Sequence, residues 1–232
     1  MGPWGGTVCD VLRVPFADGM LVPVPQGVDP LRLASASDNL TDAWRSVAPQ
    51  LADHPGAPVL VTGGGARSNA LYCVGLAMAL GSSRVTYVDH QPERLAIAER
   101  LGAEVIEASR GARWFDRHAP RIHGDHRIGV EASSTVAGLR YVLRSLCPGG
   151  TCTAVGYYFA RNSGLPLLQM YANSTTLKVG VSHARAFLPA VVDFVASGRF
   201  DPLAVTTVIA DWEDAPAAFT ARATKVVVRR PI

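Results

Sequence analysis

The chain predicts an α/β fold built on an open, doubly wound parallel sheet. Three observations predict it. Short β-branched runs alternate with helical patterns of about ten to fifteen residues, the signature of repeated strand–helix–strand units. The apolar run Val59-Leu60-Val61-Thr62 reaches Gly63-Gly64-Gly65 and then a helical pattern carrying Leu71, Val74, Ala77 and Leu80. A second strand, Arg84 to Val88, ends on Asp89.

Strand, glycine turn and helix in that order aim backbone N–H groups and a helix N-terminus at a pyrophosphate, the Rossmann arrangement. An acid closing the second strand accepts the hydroxyls of an adenosine ribose. Gly63 and Gly65 fill the first two places of G-x-G-x-x-G, Ser68 stands at the third, and Ala66 lies between. Asp89 falls beyond the usual spacing of roughly 20 residues. A turn with about two extra residues, in which Ala70 takes the close-packing role of the third glycine, explains both departures. The competing reading is a glycine turn that binds nothing.

Composition sets the frame. Of 232 residues, 48% are hydrophobic and 18% charged, which is globular and not disordered. The net charge of +3 is spread along the chain and marks no nucleic-acid surface. Arginine supplies nearly all the basic residues; Lys178 and Lys225 are the lysines. Cys9, Cys73, Cys147 and Cys152 are scattered, with no C-x-x-C pair to suggest a zinc clip or a redox motif. No apolar run approaches the ~20 residues of a membrane span and no signal segment follows Met1, so a cytoplasmic protein is expected.

In chain order, Cys9 to Val14 reads as a strand and Gly19 to Pro25 as an extended, proline-bounded segment. Ser37 or Asp38 caps a first helix with Leu40, Ala43, Trp44 and Val47 on its apolar face. After Asp89, Pro92 opens a helix with Leu95, Ala98 and Leu101 that Gly102 ends. Glu104 to Ile106 is the third strand, and Ser109 to Asp125 reads as irregular and polar. Arg127 to Ala132 is the fourth strand, and Val136 to Leu146 a helix stopped by Pro148-Gly149-Gly150. Thr151 to Gly156 and Thr176 to Val181 are the fifth and sixth strands, and Ala184 to Ser197 is a helix. No repeat at a solenoid period occurs.

Gly63 to Asp89, Gly129-Val130-Glu131-Ala132-Ser133, Pro148 to Gly156, Leu177-Lys178-Val179-Gly180 and the tail Asp211-Trp212-Glu213-Asp214-Ala215-Pro216 together resemble the medium-chain, zinc-type alcohol dehydrogenases. The resemblance covers roughly residues 10 to 230 and implies three segments. Residues 1–35 and 203–232 would be remnants of a catalytic domain, and 36–202 the dinucleotide-binding domain. Most of the catalytic domain, with its zinc ligands, is expected to be missing at the N-terminus. Asp38 matches the family's third zinc-ligand position, but one carboxylate does not hold zinc, so no metal site is expected.

The resemblance also implies a cofactor site. Asp89 matches the acid that selects NAD, because its charge repels a 2′-phosphate. Arg94 stands where the family places a basic residue beside the adenosine ribose, and Lys225 matches the family's basic pyrophosphate contact. Ala132, Ser133, Val155, Gly156 and Val181 end strands four to six on the ligand side of an open sheet. Plainer readings stand beside these: Asp38 as a helix cap, Arg94 as a solvated charge and Lys225 as an edge-strand gatekeeper. His183 is expected to open toward the cleft, to donate to a substrate or to cap the next helix. His118, His123 and His126 match no zinc spacing and read as a surface loop.

The expected function is hydride transfer between NAD and an alcohol or carbonyl compound. A cofactor-binding pseudoenzyme and a fold reused for non-redox chemistry are the alternatives. A homodimer through strand 176–181 is expected, because that strand lacks the proline or inward charge that would blunt an edge.

Overall fold

The computed structural model describes residues 5–109, 111–121, 123–159 and 162–230. Arg110 and Ile122 of the polar stretch, with the outermost residues of both ends, lie outside the described residues. The expected sheet is present. Strands β1 (Val59–Thr62), β2 (Val85–Asp89), β3 (Glu104–Glu107), β4 (His126–Glu131), β5 (Leu146–Ala154) and β6 (Thr176–Val179) run in the order β3-β2-β1-β4-β5-β6. Every pairing is parallel. The order reverses between β1 and β4, so the connections leave their carboxyl ends toward opposite faces and open a crevice there.

Nine α-helices are described: α1 (Ala17–Met20), α2 (Thr41–Asp53), α3 (Arg67–Ala79), α4 (Pro92–Arg100), α5 (Ala112–His118), α6 (Val136–Ser145), α7 (Leu167–Ala172), α8 (Ala184–Ala196) and α9 (Ala215–Thr220). A second, two-stranded parallel sheet joins β7 (Val208–Asp211) to β8 (Val226–Arg229).

Alternation along the strands divides the core in two. Val59 and Val61 face Val47 of α2, Leu71 and Tyr72 of α3 and Val195 of α8. Leu60 and Val88 face the other way, into a cluster with Phe115 of α5, Leu139 and Val142 of α6, and Cys152. Helix α3 is buried continuously from Ser68 to Ala77. That is why its sequence is apolar nearly all round rather than striped. Gly75 lets Phe200 lie against α3, since a Cβ there would overlap the Phe200 ring.

Three expectations are corrected. Cys9 to Val14 forms no strand; Cys9 to Arg13 are exposed, and bends and coil lead into the single turn of α1. The stretch read as irregular contains α5, whose Phe115 ring lies 5.4 Å from Tyr141 of α6. Trp114 and Phe115 alone give no helical period, so tertiary packing decides that segment. Asp38 does not cap α2. A π-helical turn, Ala36–Leu40, precedes the helix, and Asp38 contributes its backbone carbonyl, which accepts from Thr41 Oγ1 at 2.8 Å.

Gly75→Ala should lower stability by about 1–3 kcal/mol, the cost of overpacking a close contact. A urea midpoint equal to that of the unsubstituted chain would show that Phe200 does not press on α3.

Candidate functional site

Three short connections meet at the carboxyl ends of the central strands. The glycine turn after β1 is pinned from both sides. Gly63 N donates to Val88 O of β2 at 2.8 Å, Gly65 N to Ser133 O at 3.2 Å and Ala66 N to Ala132 O at 2.9 Å. Gly63 admits no side chain, because a Cβ would run into Asp89 Oδ2 and the Tyr87 hydroxyl; one on Gly65 would meet the Ser134 side chain. Helix α3 starts at Arg67, so the amides of Arg67, Ser68 and Asn69 have no partner within the helix and suit an anion.

Two cavities flank this turn. One, of about 100 Å³, lies over β1 and β2 and is lined by Gly63, Gly64, Asp89, His90, Ala108 and Ser133, among others. The second, of about 380 Å³, lies on the β5 side; its lining includes Asp38, Gly65, Ala66, Ser68, Val155 and Tyr157. Most of the expected residues are therefore brought together. His183 and Val181 are not: both are exposed and line neither cavity. His183 holds the N-cap position of α8 at φ 47° without a side-chain cap bond.

Asp89 is placed as expected but is not open. Its side chain is fully buried, and its oxygens accept five hydrogen bonds. Tyr87 OH, Arg94 Nε and Arg94 Nη2 each donate at 2.6 Å, His90 N at 2.6 Å and Gln91 N at 3.1 Å. Burial pushes the carboxyl up, but the Arg94 and Tyr87 bonds outweigh it and hold the group below the ordinary carboxylate range. Arg94 is thus no solvated helix charge.

Glu131, at the end of β4, is a residue the sequence reading missed. It is wholly buried, accepts from Ser133 N at 2.8 Å, from Ser133 Oγ and from the Tyr158 hydroxyl, and so ties the loop after β4 to the loop after β5. Burial raises its pKa against those bonds. The signal was a carboxylate closing an apolar strand. Gly138 and Gly156 leave it room, since a Cβ on either would crowd the carboxylate or Ser133 and Ser134.

Lys225 is half-buried just before β8, and its carbonyl accepts from Thr207 N at 3.0 Å and Val208 N at 3.1 Å. Burial pushes its ammonium pKa down, opposed by the charge of Asp38. Asp38 therefore shares the field of a lysine. Among the described residues, no group of three or more His, Cys, Asp and Glu side chains gathers to hold a metal. These residues do not fit a catalytic zinc, which needs three protein ligands.

Residues 70–197 match the family described as zinc-binding dehydrogenase. The chain belongs to that family. A probable zinc-binding alcohol dehydrogenase of Mycobacterium tuberculosis is 30% identical over 96% of this chain and 56% of the relative. An alcohol dehydrogenase of Cupriavidus necator is 25% identical over 87% of this chain and 55% of its own length. The solved alcohol dehydrogenase of Thermus sp. ATN1 superposes with a TM-score of 0.85 at 29% identity, covering 97% of this chain and 66% of that one. An NADH-complexed alcohol dehydrogenase of E. coli, 17% identical with a TM-score of 0.73, shares the fold over 91% of this chain and 62% of that one. The chain spans about half the length of the curated relatives it matches. No helix among the described residues is long and apolar enough to cross a membrane.

The depressed Asp89 pKa has a sign. Its contribution to stability is fully present above the ordinary value of 3.8 and is lost as the pH falls through the lower folded value. Urea midpoints measured between pH 5 and pH 2, round values about the ordinary carboxylate pKa, should fall less steeply for Asp89→Asn than for the unsubstituted chain. Parallel slopes would mean that Asp89 is not held ionised by Arg94.

Proposed function

We propose that the chain is the cofactor-binding part of an NAD-dependent dehydrogenase acting on an alcohol or carbonyl compound. The observation that carries this is the glycine turn pinned between β2 and β4, with the free first-turn amides of α3 beside it. The adenosine end of NAD(H) takes the cavity over Gly63 and Asp89, and the nicotinamide end takes the one between Ala66 and Val155. When bound, nicotinamide supplies hydride chemistry. The chain's own residues bind and orient it: the α3 amides face the pyrophosphate, and Glu131 holds the Ser133 and Tyr158 loops together beneath the crevice. Asp38 lines the larger cavity and is the side chain we assign to the substrate there. Kinship with alcohol dehydrogenases supports the redox reading, as does the NADH named for a structure of the same fold.

The segments 1–35 and 203–232 are proposed to belong with a catalytic domain, and 36–202 to be the cofactor domain. The assembly is proposed to be a homodimer through β6, the outer strand of the sheet, where Val179 and Val181 are each 71% exposed.

Calorimetric titration of NADH tests the cofactor reading. The unsubstituted chain should bind, and Gly63→Ala should weaken binding by an order of magnitude or more, because the new methyl displaces Asp89 and Tyr87. Equal affinities would remove the glycine turn from the site. Light scattering tests the assembly: a dimer is expected, with Val179→Lys monomeric, and a dimer that survives the substitution lies on another surface.

A further inference from the structure

Two side chains hold α7 to the body of the protein. Leu165, just before the helix, and Met170, within it, pack against the cluster that contains Leu139 and Val142 of α6. The other large apolar side chains of α7 do not. Leu167, Leu168 and Tyr171 are exposed, Leu168 to 82%. Single exposed apolar groups are ordinary, but three on one short helix form a patch, and a patch marks a contact with something else. Leu168 and Ala172 are four residues apart, so they share one face of the helix.

That face borders an open cavity of about 570 Å³, larger than either cavity beside the glycine turn and within the range of small-molecule sites, roughly 300–1,000 Å³. Leu165, Leu167, Leu168 and Ala172 give it an apolar wall. Arg144, in the last turn of α6, and Arg121, which follows α5, give it charge. No carboxylate among the described residues lines it, so none of its own lining balances the two guanidinium groups. Arg144 Nε is buried and has no hydrogen-bond partner. Buried polar groups are normally paired, and a guanidinium nitrogen left open beside a cavity suits an incoming acceptor. The backbone here is fastened. Arg140 Nε, one turn earlier on α6, donates to Gly164 O of the segment leading into α7 at 2.7 Å.

The lining selects a ligand by its chemistry. A purely apolar compound leaves the arginines unpaired, and a small anion leaves the leucines in water. A carboxylate on an alkyl chain meets both demands. Its two oxygens match the planar fork of an arginine, and its chain covers the exposed leucines. We infer that the cavity between α6 and α7 binds a medium-chain fatty carboxylate, with the head on Arg121 and Arg144 and the chain along Leu165 and Leu168. The site lies apart from the glycine turn and does not rest on the dinucleotide reading.

Decanoate is the probe, titrated by calorimetry into the unsubstituted chain, Arg144→Gln, Arg121→Gln and Leu168→Ser, with acetate and decanol as partial ligands. Saturable, one-to-one binding of decanoate is expected. Acetate should bind at least about a hundredfold more weakly, because each buried methylene contributes, and decanol about tenfold more weakly, because it brings no charge. Each arginine replacement should weaken decanoate about tenfold and leave decanol unchanged, whereas Leu168→Ser should weaken both. Arg121 and Leu168 are exposed, so their replacement leaves the fold intact even if Arg144→Gln destabilises it. Absence of saturable binding overturns the inference. Decanol binding as tightly as decanoate overturns it as well, since the arginines would then play no part. Displacement of decanoate by NADH would put the acid in the crevice after β1 and also overturn it. Binding seen only with Val179→Lys would show that a second copy covers the cavity in the assembled protein, with the same consequence.

Discussion

The space at Gly63 is the constraint on which the site depends. Its Cα lies so close to Asp89 and Tyr87 that no side chain fits, and its amide is bonded to the last turn-facing carbonyl of β2. Two residues on, Gly65 and Ala66 bond to the loop after β4. One short turn therefore joins both neighbours of β1 at their carboxyl ends. The direction of α3 follows from those bonds, and so does the position of its free amides. Helix α3 is buried on all sides, which keeps the turn from shifting as a lever would. A rigid anion-binding end of this kind costs little reorganisation when a ligand arrives.

Two buried carboxylates stand on either side of that turn, and their environments differ. Asp89 has a guanidinium against it, and the ionised form is favoured in spite of burial. Glu131 has only neutral donors, a hydroxyl of Ser133, its amide and the phenol of Tyr158, and burial prevails over them. An ion pair settles the first; a hydrogen-bond network settles the second. The consequence for ligands is that neither acid presents a bare charge to the crevice. The charges left at its edges are the arginines beside α3, with Asp38 on the β5 side.

Period and punctuation made the sheet legible. Val59 to Thr62, Arg84 to Asp89 and Thr176 to Val181 are visible as β-branched runs between turn residues; the last of them ends as a strand at Val179. Helix α5 was not legible, because Trp114 and Phe115 are held by the rings of α6, a contact no local pattern announces. The N-terminal segment misled for the opposite reason. Cys9 to Val14 has the composition of a strand, but a strand needs a neighbour, and none of the described residues pairs with it. At the site, Gly63, Gly65 and Asp89 could be read because backbone geometry demands them. What Asp89 does with its oxygens could not, since that depends on where Arg94 points. His183 takes the N-cap position of α8, one of its two expected places, but makes no side-chain cap bond, since a place along the chain does not fix where a ring turns.

Kinship and site chemistry bear on different parts of this chain. The match to zinc-binding dehydrogenases covers residues 70–197, which hold five of the sheet's six strands and all but the first three residues of the glycine-turn helix, but not Asp38 or Lys225. Strand β1 and the glycines precede that match, yet their bonds to β2 and β4 make them part of the same unit. The redox reading is carried by relatives whose length this chain half spans. The proposed dinucleotide site rests instead on the pinned turn, the first-turn amides of α3 and the two cavities beside them. Asp38, which lines the cavity on the β5 side, also precedes that match.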